Sequence, residues 1–397
     1  MMARQQKERL PQLDIFRALA ILGVLHVHAT SYAAGIQAME SPYYWILNFV
    51  NIFFKFGTPS FIFLSSFVLF YNYYDRPIDR GMIGRFYGKR MSYILLPYFI
   101  ISLGYFVLAQ TVNGELYLPI TEQLQFFLYR LLTGSNYTHL YFVFISIQFY
   151  ILFPFLLKMF QSSRWLVRWA IPVGLVLQWA FIFMNKFEWQ IVNKGSLSIS
   201  YLAYYFMGAF VAVYFDRFKV WLNSSWSELS ATLRWRTILL WGSWLTVSIV
   251  HVLLWLYARR DGVWVDTLWY ELLWNAHTML SALVLLHSAF RLYARANQAV
   301  VTFLIRMGEA SFAIYLIHPL VLAVYRRFRY HIPIDSFTYV VWIAGGLVVA
   351  LFLTWLMVAF GFRYVPFVRI FLGSVPRSYL PTAGKDSSKV QPRRANI

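Results

Sequence analysis

The first apolar segment of the chain carries three polar side chains at helical spacing, and their types suit proton transfer. Asp14, Arg17 and His28 stand in LDIFRALAILGVLHVHAT, with eleven residues from Arg17 to His28 and three from Asp14 to Arg17. At about 3.6 residues per turn, these intervals place the three side chains along one face of a helix. An imidazole titrates near neutral pH, so the stripe predicts His28 as a general base, with Asp14 and Arg17 ordering the inner end of the same passage. The alternative is structural, with Asp14 and Arg17 as headgroup-level anchors and His28 as a hydrogen-bonded interior histidine.

A second polar stripe lies late in the chain. Ser311, Tyr315 and His318 follow an i, i+4, i+7 spacing within GEASFAIYLIHP, and Pro319 comes directly after the histidine. Proline lacks a backbone N–H, so it frees a carbonyl one turn earlier in the helix. The stripe predicts either the polar wall of a substrate channel or hydrogen bonding between helices alone, and the sequence leaves both open.

The amino-acid composition indicates whether these helices are surrounded by water or by lipid. Of 397 residues, 60% are hydrophobic, 20% are aromatic and only 13% are charged, whereas soluble domains are about one quarter charged. This excludes a soluble globular protein and a disordered one, and it predicts an all-α polytopic protein in a lipid bilayer. An ionisable group inside a bilayer costs about 2.5–3.5 kcal/mol on insertion scales, so the charged groups within the apolar segments indicate function.

Ten segments are long and apolar enough to predict membrane spans of about 20 residues. The second is too long for one straight helix, and Gly57-Thr58-Pro59 is expected to kink or break it. Segment 121–133 is shorter and amphipathic, which favours a surface position. The ten predicted spans are 14–33, 44–72, 92–111, 139–160, 166–184, 198–216, 236–257, 268–290, 310–325 and 337–362.

The charge distribution gives a predicted orientation. With both termini in the cytoplasm, the inner segments hold 25 Lys and Arg and the outer loops hold 8. The positive-inside rule therefore explains the net charge of +19 without a nucleic-acid partner, and it predicts a multi-pass protein of the plasma membrane. We expect a transmembrane domain over residues 1–364 and a flexible basic tail over 365–397. Three outer arginines disagree with this pattern, so either one helix is miscounted or they serve a substrate: Arg326, Arg327 and Arg329.

The motifs of these segments resemble those of the acyltransferase-3 family of membrane acyltransferases. An arginine, ten intervening residues and a histidine mark the start of that family, as Arg17 and His28 do here. GTPSFIFLSSFVL is similar to its kinked second helix, with Ser66 in place of the usual glycine. The basic stretch KRMSYILLPY is similar to the entry of its third helix, although Tyr93 replaces a second arginine. The remaining matches are Lys55, Pro59, Phe61, Phe63, Ser65, Leu140, Phe142, Tyr150, Pro154, Ser311, Phe312 and Tyr315 to Pro319.

The resemblance implies transfer of an acyl group, often acetyl, from cytoplasmic acyl-CoA to a hydroxyl of a cell-envelope glycan or its lipid-linked precursor. No bound cofactor is expected, since acyl-CoA is a substrate. No metal site is predicted, and the absence of cysteine excludes a cysteine-bound metal. Partners would be the bilayer, acyl-CoA, the glycan and envelope-polysaccharide machinery. An exporter of a polysaccharide or lipid and a sensory or scaffold protein remain as alternatives.

Each candidate site residue has a predicted role under this interpretation. For the catalytic group, His28 is the base, Asp14 orders the site, and Arg17 binds CoA or stabilises the oxyanion. A donor with several phosphates needs a basic surface, although the same charges also serve as a topology signal. The donor-binding candidates are Lys55, Arg85, Lys89 and Arg90. The candidates for acceptor or channel contacts are Ser65, His139, Ser311, Tyr315 and His318.

Overall fold

A computed structural model describes residues 7–37, 39–114 and 117–380, and within them the regular secondary structure is entirely helical. Short π-helical segments extend three of the helices: Ala33–Gln37, Met91–Leu95 and Asn185–Trp189. The α-helices are α1 (Gln12–Tyr32), α2 (Tyr44–Phe53), α3 (Gly57–Tyr73), α4 (Arg80–Arg90), α5 (Leu96–Asn113), α6 (Ile120–Thr133), α7 (Tyr141–Ser162), α8 (Arg164–Arg168), α9 (Ala170–Met184), α10 (Leu202–Val213), α11 (Phe215–Asn223), α12 (Ala231–Arg260), α13 (Thr267–Arg295), α14 (Gln298–Glu309), α15 (Ser311–Arg327), α16 (Phe337–Tyr364) and α17 (Arg369–Leu372).

The helices match the predicted spans closely. Among the described residues, seven helical stretches are long and apolar enough to cross a membrane, and two further candidates are pairs bent at a short break. The pair α10–α11 bends by 83° and the pair α14–α15 by 76°. The 29-residue α13 is also long enough to span, and it is more polar. The prediction of an all-α bundle of about ten spans is therefore confirmed.

The predicted break in the second span is present. α2 ends at Phe53 and α3 begins at Gly57, and Lys55 lies in the turn between them. Pro59 falls in the first turn of α3, where its missing N–H costs no helical hydrogen bond. The break lies close against α1, since a Cβ on Gly57 would stand 2.5 Å from Val24 Cγ2. Only glycine allows that approach.

α1 occupies the centre of the bundle. It packs against α2, α3, α13, α14, α15 and α16. Small and medium apolar side chains such as Ala18, Ala20 and Ile21 are completely buried along it. Polar residues on α1 therefore face other helices, which is the first requirement for a site inside the bundle.

The end of the bundle at which α1 begins, with Arg9 and Glu309, is called the inner face below, and the opposite end the outer face. The segment after α16 folds onto the inner face and is anchored there: Trp355 Nε1 donates to Tyr379 Oη at 3.0 Å, and the Ser378 N–H donates to Glu309 Oε2 at 2.9 Å. Residues 365–380 thus differ from the expected flexible tail, because they have partners on the bundle. Residues 381–397 lie outside the described residues, and the domain boundary at 364 stays a prediction.

Candidate active site

A cavity of ≈ 1140 Å³ enters the bundle from the inner face. Its walls come from α1, α3, the start of the α5 span, α7, the α14–α15 bend and the segment after α17. Such a volume is at the upper end of ligand pockets, which measure about 300–1,000 Å³. Its acidic lining residues are Glu8, Asp14 and Glu309. Its basic lining residues are Lys7, Arg9, Arg17, Arg76, Lys89, Arg90 and Arg377.

The acids of the cavity are already paired. Asp14 is only 6% exposed and accepts from Arg9 Nη2 at 2.8 Å and from Arg17 Nη1 at 2.5 Å. Arg9 also donates to Glu309 Oε1 at 2.8 Å. This network joins α1 to α14, where a Cβ on Gly308 would collide with the Asp14 carbonyl.

Several positively charged side chains of the cavity remain free to bind a ligand. Within the part of the chain that the structure describes, no carboxylate forms a salt bridge with Arg76, Lys89, Arg90 or Arg377. Arg90 is held by aromatic rings, with its Cζ 4.8 Å from the Tyr150 ring centroid. The cavity therefore presents unpaired positive charge, which attracts an anionic ligand.

The deep end of the cavity is closed by Tyr315. Ser311 lines the wall one turn before it, and Ser65 contacts Tyr150 there through a 3.5 Å hydroxyl pair. The Tyr315 hydroxyl donates to the backbone carbonyl of His139. This tyrosine therefore stands between the cavity and the residues behind it.

Three histidines meet behind Tyr315. The ring centroids of His28 and His318 are 5.1 Å apart, those of His139 and His318 are 5.8 Å apart, and those of His28 and His139 are 6.3 Å apart. The cluster joins α1, α15 and the turn before α7. Within the described residues, no group of histidine and acidic side chains has the geometry of a metal site. An imidazole can accept or donate a proton near neutral pH, so three of them in ring contact can take part in acid–base chemistry.

The imidazoles differ in their partners. His318 Nδ1 lies 3.1 Å from the Ile314 carbonyl, which can only accept, so this nitrogen carries the proton and Nε2 keeps its lone pair. His318 Nε2 and both ring nitrogens of His139 are buried without a hydrogen-bond partner. Buried polar atoms without partners are rare and point to a ligand or a reacting group. The His28 ring is partly exposed, and its backbone carbonyl accepts from Arg326 Nη2 at 2.5 Å.

A tyrosine fixes the helix that carries His318. Near Pro319, the Tyr105 hydroxyl donates to the Leu316 carbonyl at 2.9 Å and accepts from the Leu320 N–H at 3.2 Å. One side chain thus satisfies two backbone groups near the proline that directly follows His318. This role of Tyr105 has no signal in the local sequence pattern.

Comparison with known proteins identifies the family of the chain. A family model described as an acyltransferase domain, that of the acyltransferase-3 family, matches residues 10–359. The chain belongs to the acyltransferase-3 family. It is also 26% identical over 175 residues to a protein named probable poly-beta-1,6-N-acetyl-D-glucosamine export protein from Staphylococcus aureus (strain MRSA252). The match covers 41% of this chain and 45% of that relative, so the chain matches less than half of the relative's length. No solved structure gives a significant match.

In this member of the family the predicted polar stripe of α1 divides into two parts. Asp14 and Arg17 line the cavity, whereas His28 is in the cluster behind Tyr315 and does not line it. Eleven residues at a rise of about 1.5 Å place Arg17 and His28 about 16 Å apart along α1. Side chains on a helix lean toward its N-terminus, so Arg17 points away from His28. Arg17 and Asp14 therefore cannot act on the same reacting atoms as His28.

Two of the predicted donor-binding residues lie elsewhere. Lys55 is at the α2–α3 break with its Nζ 4.6 Å from the Trp255 ring centroid, and it neither lines the cavity nor contacts Asp14. Asp14 accepts instead from Arg9 and Arg17. Arg85 is exposed and also does not line the cavity.

The other predicted site residues fall into two groups. Lys89, Arg90, Ser65, Ser311 and Tyr315 line the cavity. The second group, His139 and His318, lies with His28 behind Tyr315.

The sequence reasoning missed Arg9, Glu309 and Arg377 as parts of the cavity. Arg377 lies in the predicted tail, and it reaches the cavity only because Ser378 and Tyr379 are anchored to the bundle. For Glu309 the sequence does contain a signal, since this acidic residue directly follows Gly308 in the motif of the second polar stripe.

Proposed function

We propose that this protein transfers an acyl group, acetyl in the simplest case, from acyl-CoA to a hydroxyl of a cell-envelope glycan. The observation that carries the proposal is the cationic cavity that ends at Tyr315, directly in front of three clustered histidines. Membership of the acyltransferase-3 family supports the reaction type. The name of the Staphylococcus aureus relative supports a polysaccharide as acceptor.

The cavity suits a donor with phosphates at one end and a thioester at the other. Lys89, Arg90, Arg76 and Arg377 lack carboxylate partners among the described residues, so they are available for the phosphates. Arg17 lies about 16 Å from His28 along α1, so it would contact another part of the donor rather than the reacting carbonyl. With its acyl end toward Tyr315, such a donor brings the thioester to the histidine side of the cavity.

The reaction needs a base and a path for one proton. His28 takes the proton from the acceptor hydroxyl as the oxygen attacks the thioester carbonyl, forming a tetrahedral intermediate. The intermediate collapses, the carbon–sulfur bond breaks, and the CoA thiolate takes the proton from the imidazolium. The ester product and CoA then leave with no net change in the protein.

The partners of the imidazoles favour His28 as this base. As a residue, His28 is partly exposed, whereas His139 and His318 are fully buried, and the His28 ring has no hydrogen bond among the described residues. His318 is fully buried, with Nδ1 committed to the Ile314 carbonyl and Nε2 toward the cluster. We propose that His318 holds the His28 ring in its orientation, because the two rings are in edge-on contact.

The test is transfer by the purified protein in lipid nanodiscs, measured as CoA release from acetyl-CoA with a panel of envelope glycans. His28→Ala should lower turnover by about 100-fold or more, as expected for loss of a general base. His26→Ala is the matched control, since His26 lies on the same helix but stacks on Phe54, with ring centroids 4.0 Å apart. A folded His28→Ala variant with full turnover would remove His28 from this role.

Export of a polysaccharide is the second candidate, and the printed name of the relative favours it. An exporter would move glycan across vesicles without acyl-CoA. Measured glycan movement in reconstituted vesicles that lack any acyl donor, with no CoA release when the donor is added, would favour export over acyl transfer.

A further inference from the structure

A second cluster of cations lies in the outer half of the bundle, away from the donor cavity. Lys55 Nζ and Arg259 Cζ each lie 4.6 Å from the centroid of the same Trp255 ring. The two charges are therefore within twice that distance of each other. Lys55 comes from the α2–α3 break and Arg259 from the last turn of α12.

Neither cation has an anionic partner in the structure. Across residues 7–37, 39–114 and 117–380, no carboxylate forms a salt bridge with Lys55 or Arg259. Arg259 donates instead to the neutral amide oxygens of Asn48 and Asn51, at 3.3 and 3.4 Å. Two like charges at membrane depth without a counter-ion repel each other and are costly to keep. An anion bound between them would relieve that cost.

Further polar groups lie near the cations. His251 is on α12 one turn before Trp255, its Nδ1 lies 3.1 Å from His277 Nδ1, and both side chains are almost fully buried. Among the described residues, His277 Nε2 is buried without a hydrogen-bond partner. The two histidines, the two amides and the indole carry no negative charge, so none of them balances the cations.

This cluster is connected to the turn of α1 that carries His28. Asn51 Nδ2 lies 3.2 Å from Thr30 Oγ1 and 3.4 Å from the Val27 carbonyl. Its Oδ1 accepts from Arg259. One asparagine thus joins Arg259 to Val27 and Thr30, which lie on either side of His28 in the same turn of α1.

We propose that Lys55 and Arg259 bind an anionic group of the acceptor, a carboxylate or a phosphate ester, and so select acidic glycans over neutral ones. The proposal rests on the proposed acyl transfer, and it adds that the acceptor of that transfer carries a negative charge. An acceptor bound by Lys55 and Arg259 would reach His28 from the outer half of the bundle, and the donor would reach it from the inner cavity. The two substrates would therefore meet at His28 from opposite ends of α1.

The first experiment needs no turnover. The melting temperature of the protein in nanodiscs of neutral lipid is measured with glucuronate, with a polyprenyl phosphate and with glucose. A ligand that binds only the folded state raises the melting temperature. We expect glucuronate or the polyprenyl phosphate to raise it and glucose to leave it unchanged, and the effective compound identifies a carboxylate or a lipid phosphate as the source of the anion.

Variants assign the effect to the two cations. Lys55→Gln and Arg259→Gln should each abolish the shift, while Arg259→Lys should retain it because the charge remains. Arg260→Gln is the matched control, since Arg260 is the adjacent residue, is mostly exposed and lies near Asp261. If Lys55→Gln fails to fold, the pair Arg259→Gln and Arg259→Lys still decides the question.

The second experiment measures transfer. With an acidic glycan the KM of the acceptor should rise about tenfold in Lys55→Gln and Arg259→Gln, with the KM of acetyl-CoA unchanged, and with a neutral glycan neither should change. The proposal is overturned if neither anion raises the melting temperature, or if both glutamine variants keep the full shift. A shift that depends on both cations, in a protein that releases no CoA with any glycan, would refute the acyl transfer and leave the anion site standing.

Discussion

The contact between α1 and α14 makes a quantitative prediction at Gly308. A Cβ at this position would stand 1.7 Å from the Asp14 carbonyl oxygen and 3.1 Å from the Asp14 Cα. Because real Cβ atoms stay at least 3.0 Å from such neighbours, the backbone of α1 would have to withdraw by more than an ångström. Gly308→Ala therefore separates the two helices at the point where Asp14 holds Arg9 and Arg17.

The loss of stability expected for Gly308→Ala follows from the rigidity of the Asp14 backbone. Overpacking typically destabilises a core by about 1–3 kcal/mol, and a clash with backbone rather than with a flexible side chain belongs at the top of that range. The displaced Asp14 would also move Arg17 within the donor cavity. Since a misplacement of about 1 Å can cost about 100-fold in rate, we expect kcat/KM for acyl-CoA to fall by about 10- to 100-fold.

The assay compares Gly308→Ala with Gly242→Ala, in nanodiscs, by thermal unfolding and by CoA release. Gly242 lies within α12, where a Cβ would meet nothing within 4 Å. There alanine should be neutral or stabilise by up to about 1 kcal/mol, because glycine is the poorer helix former. A Gly308→Ala variant that melts with the wild type and keeps its kcat/KM would refute the close packing of α1 on α14 and its link to the cavity.

Three further substitutions test other parts of the site. Tyr105→Phe removes the hydroxyl that donates to the Leu316 carbonyl and accepts from the Leu320 N–H, and the loss of these two hydrogen bonds should lower the free energy of unfolding by about 2 kcal/mol, measured by denaturant titration in nanodiscs. Tyr315→Phe removes one hydrogen bond, to the His139 carbonyl, so the same titration should give a smaller loss of about 1 kcal/mol; an equal loss in both variants would contradict the bridging role of Tyr105. Arg377→Gln should raise the KM of acyl-CoA about five- to tenfold with kcat unchanged, whereas Arg369→Gln, exposed and away from the cavity, should not change it.

The sequence predicts the bundle well because its main determinant is local. Each span is a run of apolar residues of membrane length, and the break in the second span follows from Gly57 and Pro59 within a few residues. The two polar stripes are also local, and the structure brings His28 and His318 together. What periodicity cannot supply is the depth of each residue relative to a cavity.

The errors all concern contacts between distant segments. Lys55 is predicted to bind the donor, yet the structure places it against Trp255 of α12, away from the cavity. Arg377 reaches the cavity only because Ser378 and Tyr379 bond to groups on α14 and α16. Nothing in the local pattern of these residues specifies their partners, since a hydrogen bond over 69 positions leaves no periodicity in the sequence.

The position of Tyr315 imposes an order on any transfer through this bundle. The cavity with its unpaired cations lies on one side of this side chain and the histidines lie on the other, and its hydroxyl is tied to the His139 carbonyl. If acyl transfer runs from the cavity to His28, the Tyr315 side chain must move, because it lines the cavity and also contacts the rings of His139 and His318. The hydrogen bond of Tyr315 to the His139 carbonyl is therefore the contact that such a movement would have to break.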